Sequence, residues 1–250
     1  MFSRFYHVIL RNLHHIYMIP QMGYMAKHPE KYSEQQRYEK DLLCIKRMCK
    51  PGHITTEGYG MENLPKEGGY ILTPNHQGKY DALSIMITHK APCSIVMDKE
   101  KSNVPLTKQF LDLVQGKRMD TNDVRQSMKI IKEMSEEAKQ GRKFIIFPED
   151  GYFHNGNDTT VFKPGAFKSA VWAKCPIVPV VLINSYMCFE YHSLKPVKTF
   201  VYYLKPLYYE DYKDMNTTEI AALVQGKIQS VLDSYKAGKL IPENVCQTES

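Results

Sequence analysis

The sequence predicts an α/β domain: a layered fold with a central, mostly parallel or mixed sheet flanked by helices, plus an N-terminal amphipathic helical arm. Three observations support this fold class. Short, continuous apolar runs alternate with amphipathic helical segments along residues 51–238. The continuous runs are typical of strands that are covered on both faces. The chain has 250 residues, 43% of them hydrophobic and 24% charged, which is enough to bury a sizeable core.

Residues 1–50 form the predicted arm. They contain nine Lys or Arg against four acids, and no acid precedes Glu30. Eight apolar side chains share one face of a helix over residues 2–17. They are Phe2, Phe5, Tyr6, Ile9, Leu10, Leu13, Ile16 and Tyr17. Arg4, His7, Arg11 and His14 occupy the other face, and Pro20 should end or kink the helix. A basic, aromatic helix of this kind favours a membrane interface, with docking on the protein's own core as the alternative.

The remaining elements follow in chain order. A polar helix over residues 35–48 should stop at Pro51, and residues 239–250 form a polar tail with no assigned role. Strands are predicted over residues 53–59, 70–73, 93–97, 143–147, 177–183 and 199–204. Further helices are predicted over residues 82–89, 123–140, 165–174 and 218–235.

Three details of these elements can be checked. Pro179 lies inside a predicted strand, which indicates an edge or a bulge. Trp172 is assigned to the core. Val124, Met128, Ile131 and Met134 are assigned to the inner face of helix 123–140.

A histidine and an aspartate follow the apolar run of residues 70–74, in the sequence Asn-His-Gln-Gly-Lys-Tyr-Asp over residues 75–81. Five steps along a helix would put His76 and Asp81 on different faces, so the two can meet only if the chain turns between them. We therefore expect a strand-loop-helix junction. His76 could act as a base, and Asp81 could orient it. The alternatives are a helix N-cap for Asp81 and an ordinary loop histidine for His76.

Other charged positions lie at predicted strand or helix ends, where α/β folds bind ligands. Glu149 follows a buried strand and precedes the flexible Gly151, so it could fix a substrate hydroxyl, orient a neighbouring base or pair with a lysine. The adjacent Lys117 and Arg118 could hold a phosphate. Lys163 precedes a helix start and could support an anion site.

Several classes of protein receive no support from the sequence. The six cysteines show no CxxC pair, so we expect free thiols in a reducing compartment and no metal site. No run of eighteen apolar residues predicts a spanning helix. The basic charge has no recognition motif beside it, so we expect no nucleic-acid partner.

Four segments, in order, resemble the four sequence blocks of the glycerolipid acyltransferases of the HX4D type, of which the lysophosphatidate (1-acyl-glycerol-3-phosphate) acyltransferases are one branch. The segments are residues 75–81, 116–120, 147–151 and 177–180, with flanking similarity at 62–65 and 162–166. The resemblance extends over roughly residues 53–185. The order of the blocks is far more specific than any one of them.

The resemblance implies transfer of an acyl group from acyl-CoA or acyl-carrier protein to the free hydroxyl of a lysophospholipid, above all 1-acyl-glycerol-3-phosphate, giving phosphatidate. It implies that His76 is the base and Asp81 its partner, and that Asn75, Glu149 and Gly151 help to hold substrate. Backbone N–H groups near the helix start would stabilise the oxyanion. The acyl thioester is already activated, so we expect neither a metal nor a further cofactor. The enzyme would act at the cytoplasmic face of a membrane as a peripheral or monotopic protein.

The sequence departs from the family pattern at the expected phosphate ligands. The third block continues with Asp150, Gly151 and Tyr152 in place of Gly-Thr-Arg. Thr121 stands where an arginine usually ends the second block, so phosphate binding would pass to Lys117, Arg118 or Arg125. The lysine expected after the first block falls near Lys99.

Two other functions remain open at this point. One is a metal-dependent hydrolase that uses His76, Asp81 and Glu149. The other is a lipid-binding module that has lost its chemistry, which the altered third block suggests.

Overall fold

The computed structural model describes residues 4–191 and 193–239, so Phe2 and residues 240–250 of the predicted tail lie outside the described part. The strands are β1 (Ile54–Tyr59), β2 (Ile71–Pro74), β3 (Ser94–Asp98), β4 (Lys117–Met119), β5 (Phe144–Ile145), β6 (Ile177–Ile183) and β7 (Val197–Tyr203). The helices are α1 (Arg4–Arg11), α2 (Met18–Lys27), α3 (Glu34–Gly52), α4 (Asp81–Thr88), α5 (Thr107–Leu113), α6 (Val124–Lys139), α7 (Lys168–Ala173), α8 (Tyr209–Tyr212) and α9 (Thr217–Lys236).

The described strands form one sheet in the order β1-β7-β6-β2-β5-β3-β4. Neighbouring strands pair in parallel, except that β6 and β7 are antiparallel. The predicted α/β fold with a mostly parallel, mixed sheet and N-terminal helices is therefore confirmed.

Helices cover both faces of the sheet. Successive strand residues point to opposite faces. Leu72, Ile145 and Val178 pack on the side of α1 to α5, whereas Ile71 and Phe144 pack on the side of α6, α7 and α9. Two apolar cores with the sheet between them make a three-layer domain.

The carboxyl ends of three central strands place the candidate site. β2 pairs in parallel with both β5 and β6, so all three strands end at the same edge of the sheet. The segments that follow these ends begin at Asn75, Ile146 and Asn184. Parallel α/β sheets commonly bind ligands at this edge.

The first part of the N-terminal arm forms two helices, α1 and α2, in place of one continuous helix. The break lies between Arg11 and Met18, before Pro20, which sits in the first turn of α2. A first-turn proline is tolerated because N–H groups there have no partner within the helix. The prediction that Pro20 ends or kinks the helix was therefore wrong.

The apolar face of the arm is exposed. The side chains that face solvent are Phe5, Tyr6, Ile9, Leu10, Leu13, Ile16 and Tyr17. Val8 and Arg4 are the buried residues of α1, although Arg4 was expected on the polar face. Within residues 4–191 and 193–239, no helix combines the length and the apolar character that crossing a bilayer requires.

Some details of the predicted elements need correction. β6 lies between β7 and β2, so Pro179 is not at an edge. Its carbonyl accepts from Leu204 N–H, just past the end of β7. Trp172 and Val124 are 41% and 74% exposed, not core residues. The five described cysteines are free and buried.

Candidate active site

His76 and Asp81 meet where β2 passes through a loop into α4. His76 Nδ1 lies 2.7 Å from Asp81 Oδ2, and the Asp81 side chain is fully buried while that of His76 is 19% exposed. A carboxylate can only accept, so the geometry places the imidazole proton on Nδ1. Nε2 then has a free lone pair and can take up a proton.

The Asp81 carboxylate folds back into the loop instead of capping α4. Asp81 is the first helical residue, and its Oδ2 also accepts from the N–H groups of Gln77 and Gly78 at 2.5 and 2.9 Å. Its Oδ1 accepts from the Ser185 hydroxyl. Both oxygens are therefore fixed, and the carboxylate has one orientation relative to His76.

Glu149 supports the same loop from the segment that follows β5. Its Oε1 accepts from His76 N–H at 2.8 Å, and its Oε2 accepts from Thr160 N–H and the Thr160 hydroxyl at 2.9 and 2.6 Å. Glu149 is 1% exposed, and burial raises the pKa of its carboxyl. These contacts fix the backbone of His76. Of the three uses considered for Glu149, this arrangement agrees with orienting a neighbouring base.

Two aromatic rings hold the imidazole of His76. Phe147 stacks on it with ring centroids 4.1 Å apart, and Tyr152 meets it edge-on at 5.1 Å. Both rings come from the segment around Glu149. The stacking restricts rotation of the imidazole and shields one of its faces from water.

The other predicted substrate contacts near this loop also have structural roles. The side chain of Asn75 is buried, and its amide group bonds in both directions with the backbone of Leu182 in β6, at 2.7 and 3.1 Å. Gly151 lies in the turn after Glu149 with φ +151°, a value that favours glycine.

Three of the predicted phosphate ligands, Lys99, Lys117 and Arg118, form ion pairs within the chain. Two of them, Lys117 and Arg118, lie on β4 at the edge of the sheet. Lys117 pairs with Glu137 at 2.5 Å, and Arg118 pairs with Asp112 at 2.5 Å. Lys99 pairs with Asp120 at 3.6 Å. Lys163 is exposed, and its backbone N–H donates to Pro148. Among the contacts of the described residues, none joins these four cations to His76.

Sequence reasoning missed Ser185 and Gln77. Gln77 is 1% exposed; its amide donates to Asn157 and Leu182, and its carbonyl accepts from Ser185 N–H. Ser185 follows β6 and has no sequence signal of its own, since its partner Asp81 is 104 residues away.

Backbone N–H groups near the start of α4 were expected to stabilise the oxyanion, but those of the preceding loop already have acceptors. The N–H groups of His76, Gln77 and Gly78 already donate to Glu149 or Asp81. An oxyanion at this site needs other donors.

No group of three or more His, Cys, Asp or Glu side chains is arranged to hold a metal ion in the part of the chain that the structure describes.

Comparison with known proteins places the chain among relatives. A family model described as Acyltransferase matches residues 55–183. The chain is similar to 1-acyl-sn-glycerol-3-phosphate acyltransferase of Borreliella burgdorferi, 32% identical over 130 residues that cover 50% of each chain. It is also similar to the human enzyme named 1-acyl-sn-glycerol-3-phosphate acyltransferase alpha, 32% identical over 143 residues that cover 54% of this chain and 48% of the human one. The match thus spans about half the length of these curated relatives.

The fold has a solved counterpart. The crystal structure of the 1-acyl-sn-glycerophosphate (LPA) acyltransferase PlsC from Thermotoga maritima superposes with a TM-score of 0.73. The superposition covers 94% of this chain and 98% of that one, at 21% sequence identity. At this identity the likeness shows the fold.

Proposed function

The chain belongs to the Acyltransferase family, and we propose that it transfers a fatty acyl group from an acyl thioester to the free hydroxyl of a lysophospholipid, with His76 as general base. The observation that carries the proposal is the 2.7 Å contact between His76 Nδ1 and Asp81. A neutral imidazole that donates from Nδ1 to Asp81 has its lone pair on Nε2, where it can accept the proton of the attacking hydroxyl.

The chemistry then needs a single proton relay. Nε2 of His76 takes the proton of the acceptor hydroxyl while the hydroxyl oxygen attacks the thioester carbonyl. The tetrahedral oxyanion collapses, the C–S bond breaks, and the thiolate leaves with the proton that the imidazolium returns. Asp81 stabilises the imidazolium meanwhile. General-base help of this kind is worth about 10²–10⁴-fold.

The acceptor we propose is 1-acyl-glycerol-3-phosphate, and the product is phosphatidate. The names of the similar proteins support this choice. The donor is acyl-CoA or acyl-carrier protein, and the reaction needs no further cofactor because the thioester is already activated.

We assign the acceptor phosphate to Lys79 and Lys101, because both ammonium groups lie near Tyr152, the ring that meets His76 edge-on. Lys101 Nζ lies 6.0 Å from the centroid of the Tyr152 ring, whose centroid is 5.1 Å from that of His76. Lys79 Nζ lies 3.3 Å from Glu190. The pKa of Tyr152 is raised, mainly by burial and by the charge of Glu190. The charge of Lys79 acts on the same phenol in the opposite direction, so the Lys79 ammonium also lies near Tyr152.

We further propose that the protein works at the cytoplasmic face of a membrane as a peripheral protein. The exposed side chains of Leu10, Leu13 and Ile16 and the excess of basic residues in the arm support this location. The acceptor and the product are themselves bilayer lipids, so an enzyme held at the surface meets its substrate there.

A transfer assay tests the proposed function. The full-length protein is incubated with radiolabelled acyl-CoA or acyl-carrier protein and a panel of lysophospholipids, with and without a chelator. We expect labelled phosphatidate from lysophosphatidate, with unchanged yield in the chelator. Transfer to no acceptor would contradict the proposal and favour a binding module; chelator-sensitive release of free fatty acid would favour a hydrolase.

A further inference from the structure

The Ser185 hydroxyl lies between two acceptors, the side chains of Gln77 and Asp81. It is within hydrogen-bond reach of Asp81 Oδ1 and 3.0 Å from Gln77 Oε1, and Ser185 is 1% exposed. A hydroxyl has one proton to donate. The charged carboxylate is the stronger acceptor, and Gln77 Oε1 already accepts from Ser185 N–H at 3.0 Å. The proton therefore goes to Asp81 and fixes the oxygen that does not face His76.

The turn that carries Ser185 is fastened to the N-terminal helix by Arg4. A 3-10 turn over Ser185–Met187 follows β6. The Arg4 guanidinium donates to the carbonyls of Met187, Cys188 and Lys195, at 2.6, 3.1 and 2.5 Å. All three carbonyls belong to the connection from β6 to β7. Arg4 has no exposed surface, and burial lowers the pKa of its guanidinium.

Breaking this contact would be costly. Three carbonyls would lose a charged donor, and a buried guanidinium would lose its hydrogen bonds. Phe5 adds an edge-on contact to Phe189 in the same connection, with ring centroids 5.7 Å apart. The first turn of α1 is thus joined to the segment that holds the aspartate, although its apolar side is exposed.

We infer that Ser185 and Arg4 are positioning residues: Ser185 aims Asp81 at His76, and Arg4 holds the Ser185 turn in place from α1. The chain of contacts runs from Arg4 to the carbonyls of the turn, from Ser185 to Asp81, and from Asp81 to His76. The inference rests on the proposed transfer by this pair, and it gives the N-terminal helix a part in building the active site.

Kinetics of matched variants test the inference. Ser185→Ala and Arg4→Lys should each lower kcat about 10-fold or more and change the acceptor KM less than about 2-fold, because a small misplacement of the base slows the reaction without weakening binding. Ser185→Thr keeps the hydroxyl and should restore most of the rate. Unchanged kcat in Ser185→Ala would overturn the inference.

Two controls separate positioning from general loss of packing. Ser94→Ala, in β3, removes another buried hydroxyl, one that donates to the backbone carbonyl of Gln115. Arg37→Lys alters another buried guanidinium, one that donates to the carbonyls of Leu113 and Tyr32. Both should keep kcat within about 2-fold of wild type. Equal losses in the controls and the test variants would also overturn the inference.

An NMR measurement tests the same inference without any activity. The Nδ1–H proton of His76, assigned by its absence in His76→Gln, should shift or broaden in Ser185→Ala and Arg4→Lys and stay in place in the two controls. An unmoved resonance in both test variants would contradict the inference whether or not the protein transfers acyl groups. A moved resonance in a protein that transfers no acyl group would contradict the proposed function alone.

Discussion

At the scale of single residues, the carboxylates of Asp81 and Glu149 hold His76 at two different places. Asp81 fixes the imidazole of His76, and Glu149 fixes its backbone N–H. The spacing of His76 and Asp81 allowed the two side chains to meet only through a turn at a strand end, and the chain makes that turn between β2 and α4. The role of Glu149 could not be chosen from the sequence, because it depends on Thr160 approaching from eleven residues further along the chain.

Glu149→Gln should damage both stability and rate. Each carboxylate oxygen of Glu149 accepts from an N–H group, so an amide nitrogen in either place faces a donor and leaves it unsatisfied. The expected cost is about 1–3 kcal/mol of unfolding free energy, together with a lower kcat. Thermal unfolding and steady-state kinetics measure the two effects. Glu57→Gln, in the remote strand β1, is the control. A Glu149→Gln variant as stable and as active as wild type would refute the assignment of Glu149.

The acceptor phosphate gives a second prediction at this scale. Lys79→Ala and Lys101→Ala should each raise the KM for lysophosphatidate, and the double variant should raise it about 10-fold or more, with a smaller change in kcat. Charge-assisted bonds of about 1.5–3 kcal/mol lead to this expectation. Lys213→Ala, directly after α8 and paired with Glu210, is the control. An unchanged KM in the double variant would exclude these lysines as the phosphate ligands.

At the scale of elements, the exposed side of the N-terminal arm gives a test of membrane binding. Replacing Leu10, Leu13 and Ile16 together by serine should weaken sedimentation with anionic vesicles, since these side chains are exposed and apolar. Deleting residues 2–17 would also remove the buried Arg4 and Val8, so surface substitutions are the cleaner change. Val161→Ser, also at an exposed position, is the control.

If the triple variant sediments with vesicles as well as wild type does, the arm is not the membrane contact. Loss of binding with normal transfer to a detergent-dispersed acceptor would separate membrane contact from catalysis.

Helix α3 contains a buried acid that makes stability depend on pH. Asp41 is fully buried, its oxygens have no hydrogen-bond partner among the described residues, and burial raises the pKa of its carboxyl well above the usual value. A raised folded-state pKa favours the protonated form, so the folded state is stabilised below about pH 4, the unfolded pKa, and this contribution is lost as the pH rises. The Tm of Asp41→Asn minus the Tm of wild type should therefore be more positive at pH 7.5 than at pH 4.5.

Asp41→Leu should show the same trend, because it too removes the titrating group. A Tm difference that does not change with pH in either variant would contradict a protonated Asp41 in the folded state.

The elements themselves were largely predictable. β1, β2, β3, β6 and β7 lie within a few residues of the predicted runs. In β2 and β6 the signal was a continuous apolar run, which is typical of strands covered on both faces, whereas β1 was predicted from a loose alternation. β4 was missed because Lys117 and Arg118 give an edge strand polar character. Helix α5 was missed as well. Trp172 was misplaced because large aromatic residues are commonly, but not always, buried.

At the scale of the whole molecule, long-range contacts decide the site. Parallel pairing of β2 with β5 and β6 brings His76, Glu149 and Ser185 to one edge of the sheet. The sequence predicts the first two from residues at strand ends. The bonds from Ser185 to Asp81 and from Arg4 to Met187 join positions more than one hundred residues apart, and nothing local signals them.

The whole account depends on proton transfer at His76. The most direct measurement is kcat/KM for acyl transfer to lysophosphatidate by His76→Ala. His28→Ala, at a partly exposed histidine in the N-terminal arm, is the control, and thermal unfolding is the check on folding. We expect a loss of at least about 10²-fold in the folded His76→Ala variant and a near-normal rate in the control. A folded His76→Ala variant that turns over like wild type would contradict the account.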